Sequence, residues 1–176
     1  MGSKDLEDDA RTLLRAAEQR ISASVWRRRR ALAAVARAAV VLSVAFAIAL
    51  WGVGDLEMAV FASFTAMGLT GIADFGGDLR ARALANLVTG AAAIGVALIG
   101  TAASEHPVVA PVVAAAAGFV LAFVGGLGGH VRAAARVLVI FLVLSIGVPG
   151  PVSEMGSRAA GIALAAGLAA VASVVL

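Results

Sequence analysis

Cysteine and tyrosine are absent from this 176-residue chain, lysine occurs once, and charged residues make up only 14%. The lack of cysteine excludes disulfides, thiolate metal sites and cysteine nucleophiles, and it leaves the redox compartment open. The scarcity of charge excludes an ordinary soluble domain, which is about 25% charged and about 45–50% apolar. Here 61% of residues are hydrophobic and the mean hydropathy is +1.00, so lipid has to cover the outer surface. Alternating patterns of about 10 residues, the mark of a membrane β-barrel, are missing as well. The expected fold class is therefore all-α, a polytopic membrane protein.

Basic residues outnumber acidic ones 14 to 11 and the isoelectric point is near 11.0. Nucleic-acid binding would gather that charge into a stripe interleaved with stacking aromatics, and no such stripe is present. The Arg residues stand beside apolar runs, where they act as topology signals.

Most of the polar character lies in residues 1–30. Ser3 can cap a helix, Asp5, Glu7, Asp8 and Asp9 suit its positive end, and Arg27 to Arg30 suit its far end. Leu6, Ala10, Leu13, Leu14, Ala17, Ile21 and Val25 recur at spacings of three and four, which predicts an amphipathic helix on the cytoplasmic membrane surface with Trp26 at the interface. A solvated tail of weak helicity is the alternative. No isolated small-residue cleavage site follows the first apolar run, so the segment is expected to be retained.

Residues 31–176 are expected to form a six-span domain, each span needing about 20 residues. The spans are predicted at Ala34–Trp51, Met58–Ala73, Ala83–Ala103, Val108–Leu127, Val131–Val148 and Arg158–Leu176. Arg37 can snorkel at the start of the first, and Trp51 marks its far interface. Charges between the spans alternate in sign: Arg27 to Arg30, Asp55 and Glu57, Arg80 and Arg82, Glu105, Arg132 and Arg136, then Glu154. The positive-inside rule then puts both termini in the cytoplasm. Arg158 is the one basic residue on the outer side, one helical turn from Glu154.

Three spans followed by three would invert the second half relative to the first, and the halves share a pattern. Asp78, Arg82, Gly90 and Gly95 match Glu154, Arg158, Gly161 and Gly167 as acid, three residues, Arg, then a Gly/Ala-rich helix. Spans two and five both look short, bracketed by Glu57 and Asp74 and by Arg136 and Pro149. Paired short spans in an inverted repeat are a pointer to a transporter site. Tilt or local bilayer thinning absorbs such a mismatch equally well.

The stretch from Gly76 to Gly90, with Asp78, Arg80, Arg82 and Asn86, resembles the fusaric acid resistance protein-like family of integral membrane transporters. The likeness runs from Arg37 to the end of the chain and includes Arg158, Ala159, Ala160 and Gly161 before an Ala/Leu run. The resemblance implies six spans and efflux of small organic anions, as in aromatic acid exporters of a bacterial inner membrane. Larger members carry a cytoplasmic domain and often a second membrane half, so this chain is expected to self-associate as a homo-oligomer or to belong to something longer.

An anion crossing lipid needs a compensating charge and hydrogen-bond donors. Arg82 and Arg158, each near the start of a helix whose free N–H groups favour an anion, are the leading candidates for substrate binding. Asn86 and Thr89 follow Arg82 on one helix face, and Thr65 and Thr70 add polar groups to the second span. The competing roles are plain: Arg82 as a topology determinant, and Asn86 and the Thr residues as helix–helix contacts or back-bonded groups.

His106 and His130 fall on opposite sides and cannot share a metal, so no metal or cofactor is expected. The run Gly125-Gly126-Leu127-Gly128-Gly129-His130 follows an apolar span and lacks a P-loop Lys, so it reads as a turn. Neither a Ser/His/Asp set nor paired carboxylates within one segment points to an enzyme. Gly90, Ala91, Gly95, Gly161 and Ala165 are expected to permit close helix approach.

The leading reading is a transport domain for small, aromatic carboxylic anions. A non-transporting anchor or oligomerisation unit is the alternative. A small channel is a third, with Asp74 and Asp78 at its mouth.

Overall fold

The computed structural model describes residues 32–73 and 75–175. The amphipathic helix expected over 1–30, Trp26 included, lies outside the described residues, as does Asp74. The bundle belongs to the compact unit Arg37–Leu176.

Among the described residues every regular element is helical. These are α1 (Leu32–Val53), α2 (Leu56–Ile72), α3 (Leu79–Ser104), α4 (Val109–Gly125), α5 (Gly129–Gly147) and α6 (Met155–Val175), the last preceded by a 3₁₀ turn, Val152–Glu154. Helices α1, α3, α5 and the unit Val152–Val175 are long and apolar enough to cross a membrane by length and composition, whereas α2 and α4 are apolar but shorter. These apolar helices mark a membrane protein with four candidate spans.

The helix ends follow from local chemistry. Asp55 accepts from the Met58 amide at 2.9 Å and Asp78 from the Ala81 amide at 2.8 Å, so each carboxylate caps the helix that follows it. Gly54, in the left-handed region at φ 79°, closes α1 by donating its N–H to the Ala49 carbonyl. Pro149 stops α5, because the residue before a proline is pushed out of the helical region. Pro111 is harmless in the first turn of α4, where its missing N–H has no partner to lose.

Helix α2 is short, as the charges bracketing span two predict, but its short counterpart is α4 rather than span five. Helix α5 begins at Gly129 and carries Arg132 and Arg136 inside its first turns, since long basic side chains reach the interface without ending a helix. Both α1 and α2 finish in a π-helical turn, Ile48–Val53 and Gly68–Ile72.

Helices α3 and α6 run antiparallel through the centre. Helix α2 packs on α6, α5 on α3, and α4 on the far side of α5. One core cluster joins Phe61, Ala97, Val137, Phe141 and Ile162 across α2, α3, α5 and α6, and a second joins Val41 and Ala45 of α1 to Ala62, Ala66, Ala165 and Ala172. Small residues let backbones approach and gain dispersion, which matters where lipid removes most of the hydrophobic drive between helices.

A methyl group at Gly90 would overlap the Ala166 methyl, one at Gly161 the Met58 carbonyl oxygen, and one at Gly100 the Ser145 Cβ. The expectation for Gly95 does not hold within the described chain: it faces open space, and Ala91 is exposed. Helix α4 contributes one buried residue, Ala110, and shows Phe119 and Phe123 at 72% and 71% exposure.

Candidate functional site

Charge separates the two ends of the bundle. At one end, Asp55, Glu57, Glu105 and Glu154 cluster around the α1–α2 and α3–α4 turns and the segment before α6; the Val152 amide donates to Glu105 Oε1 at 3.2 Å and ties two of these connections together. At the other end lie Arg80, Arg82, Arg132 and Arg136. There His130 Nε2 donates to the Gly76 carbonyl at 2.7 Å and its ring stacks on Phe75 with 6.3 Å between centroids. Arg37 shares this basic end, since Ala38 lies against Gly71. His106 and His130 thus stand at opposite ends, and among the described residues no group of His, Asp and Glu is placed to hold a metal ion.

Arg158 is the exception at the acidic end, and it is 1% exposed. Its Nη2 lies 2.6 Å from Glu57 Oε1 and 3.7 Å from Glu154 Oε2. The contact to Glu57 is an ion pair rather than an aligned hydrogen bond, because Glu57 Oε1 has no partner of good geometry. Nη1 donates to Thr101 Oγ1 at 2.9 Å and Nη2 to the Val148 carbonyl at 3.1 Å. The guanidinium also sits 4.9 Å from the centre of the Phe61 ring, within cation–π range. One side chain thereby gathers α2, α3, the end of α5 and α6. Gly150 lies against this pair, and a methyl there would displace the ends of Arg158 and Glu154.

The acid, three residues, Arg pattern shared by the halves has a local meaning. Asp78 is the N-cap of α3 and Glu154 lies in the turn entering α6, so in both places a carboxylate occupies the positive helix end that was expected to receive an anion. Helix-start chemistry accounts for the acid in each place.

Arg82 and Arg158 do not meet. Arg158 touches Thr101, and the stretch of α3 from Arg82 to Thr101 rises about 28 Å at about 1.5 Å per residue. Around Arg82 the environment differs: the residue is partly buried, and its Nε has no hydrogen-bond partner among the described residues. One turn on, Asn86 is 3% exposed; its Nδ2 donates to Ser173 Oγ at 2.8 Å and to the Ala169 carbonyl at 3.4 Å, while its Oδ1 is unpartnered. Ser173 in turn donates to the Ala169 carbonyl at 2.8 Å.

The remaining candidates are buried but not assembled with these. Thr65 Oγ1 donates to the Phe61 carbonyl at 2.6 Å and Thr70 Oγ1 to the Ala66 carbonyl, both back-bonds within α2. Thr89 is buried next to the α3–α6 crossing at Gly90. Reading the sequence misses Glu57, Thr101 and Ser173. The signal for Glu57 was present, as the acid on the same side as the one misplaced Arg; for Thr101 and Ser173, hydroxyls in Ala-rich helices, nothing distinguished them.

Comparison with protein-family models, curated proteins and solved structures returns no match to this chain.

Proposed function

We propose that this chain is a six-span transport domain of a bacterial inner membrane, with both termini cytoplasmic, that exports small aromatic carboxylic anions, as its resemblance to fusaric acid resistance-type transporters implies. The observation that carries the reading is the unequal treatment of two arginines set alike in the central helices. Arg158 is neutralised by Glu57 and Glu154. Arg82 has no ion-pair partner among the described residues and, like Arg158, a buried Nε without an acceptor; it stands in the basic mouth where an organic anion would collect. A carboxylate oxygen satisfies Arg82 Nε, and a hydroxyl or protonated carboxyl group satisfies Asn86 Oδ1. Arg158 holds the opposite end shut, and opening requires Glu57 or an incoming anion to exchange on it. An ionisable residue within such a bundle is a functional position by default.

A 3+3 inverted repeat is part of this proposal. Support comes from the packing order, in which α2 lies on α6 as α5 lies on α3, with the Gly90 and Ala166 contact between the central pair. The short α2 and its π-helical end fit a helix that shifts during transport.

A second reading, a membrane anchor or oligomerisation unit, draws on the close Gly and Ala crossings and on the exposed Phe119 and Phe123 of α4. Counterflow of a labelled aromatic carboxylate into proteoliposomes separates the two. The transporter gives saturable counterflow that Arg82→Ala abolishes while the purified variant stays folded. No counterflow across a panel of organic anions overturns transport and leaves the anchor.

A further inference from the structure

The exposed face of α5 carries Arg132, Arg136, Val139 and Val143 in one stripe at helical spacing. Its basic end forms a groove with Leu121 and Gly125 of α4, and the stripe continues through Val139 into a wholly apolar groove floored by Ile140 and walled by Phe64 of α2. Two cations therefore stand where a membrane interface would lie, at the head of an apolar channel that runs on along the same helix. Arg132 is held in place, because its Nε donates to the Gly125 carbonyl at 3.4 Å at the end of α4. That bond engages Nε rather than either Nη, and it sets a positive charge against the negative end of a helix.

We infer that this groove binds one anionic phospholipid, its phosphate on Arg132 and Arg136 and an acyl chain along Val139 and Val143. The occupant is chosen by shape and charge together. A zwitterionic headgroup brings a cation next to the Arg pair, and a soluble phosphate leaves the apolar channel uncovered. A second copy of the chain would have to present an acid opposite two arginines, and the acid described at this end, Asp78, is engaged in capping α3. Basic pockets between helices on the cytoplasmic side hold anionic headgroups by this physics. The inference needs a membrane but not transport, so it stands or falls apart from the function proposed above.

The test uses the full chain purified from vesicles of phosphatidylglycerol and phosphatidylcholine in equal parts, with retained lipid measured by native mass spectrometry. Wild type is expected to retain phosphatidylglycerol with roughly thirtyfold preference, about 2 kcal/mol at about 1.4 kcal/mol per tenfold. The pair Arg132→Gln and Arg136→Gln removes the preference, Val143→Asn weakens retention of either lipid, and Arg80→Gln at the same end leaves both unchanged. Circular dichroism of each variant establishes that the helices remain. Equal retention of the two lipids by wild type overturns the inference, as does a preference that survives loss of both arginines. If soluble glycerol phosphate competes the lipid away, the site is an anion site without a lipid channel. An oligomer that persists without retained lipid and dissociates in Arg132→Gln assigns the stripe to a second copy.

Discussion

Arg158 on α6 and Glu57 on α2 are in ionic contact at 2.6 Å, with the arginine 1% and the carboxylate 24% exposed. A guanidinium so enclosed is tolerable only when its charge is matched; Nη1 and Nη2 have acceptors, while the buried Nε has none among the described residues. Thr101, the Val148 carbonyl and the Phe61 ring supply the rest of that environment. The arrangement draws four segments of chain to one point at the acidic end of the bundle.

Glu57→Gln keeps the shape of the side chain and removes its charge, leaving Arg158 with only the more distant Glu154. Breaking a buried pair from one side costs about 3–5 kcal/mol, and partial exposure of Glu57 with Glu154 still present sets the expectation near about 3 kcal/mol. Glu154→Gln, at 3.7 Å and 41% exposed, should cost less than about 1 kcal/mol. Reversible unfolding in mixed micelles measures both. Equal losses would mean that distance and burial do not rank the two acids.

Gly90→Leu forces a side chain into the Ala166 methyl at the central crossing, whereas Gly95→Leu adds one to open space. Overpacking costs about 1–3 kcal/mol, and more where backbone must move, so the first variant should lose most of its folded yield. Gly95→Leu should stay within about 0.5 kcal/mol of wild type. Monodispersity by size exclusion after detergent extraction reads the difference.

Among the described residues, the helices, their starts and the alternation of charge are legible in the sequence, because caps such as Asp55 and Asp78 and runs of apolar residues act locally. The Arg158 anomaly was legible too, as one basic residue among acids. Its partner was not, since Glu57 and Arg158 are joined only by the packing of α2 on α6. Nor was the difference between Gly90 and Gly95. In a soluble helix polarity marks the outer face; in α3 lipid-facing and core-facing positions are both Ala, Val, Leu and Gly, and the periodicity that would have sorted them is erased. The bounds expected for span five lie close to those of α5; only its apparent brevity fails, because an Arg inside a helix is not a boundary when it can reach the interface.

The Asp55 carboxyl is held below its ordinary value, chiefly by the Met58 amide that it caps and next by the Ser157 hydroxyl, against a smaller opposing effect of burial. Since the folded value is the lower one, this contribution to stability is fully present above about pH 4 and is lost as pH falls through the lowered folded value. Acid should therefore loosen the start of α2 and its link to α6. Asp55→Asn retains a good cap but does not titrate, so subtracting its stability profile from that of wild type isolates the effect. A difference profile that is flat below about pH 5 would show that the cap is not coupled to stability.

Orientation in the membrane can be read chemically because the chain has no cysteine of its own. Leu127, in the turn between α4 and α5 at the basic end, is 75% exposed, and His106, in the turn between α3 and α4 at the acidic end, is exposed as well. Each can be replaced by Cys without disturbing a buried contact, and neither occupies a positive-φ position, as Gly128 does. The positive-inside rule puts the end bearing Arg80, Arg82, Arg132 and Arg136 in the cytoplasm. An impermeant maleimide added to intact cells should then label His106→Cys at once and Leu127→Cys only after the cells are opened. The reverse pattern would turn the bundle over and move the Arg82 end to the outside. Labelling of both in intact cells would mean that α4 lies on the membrane surface instead of crossing it.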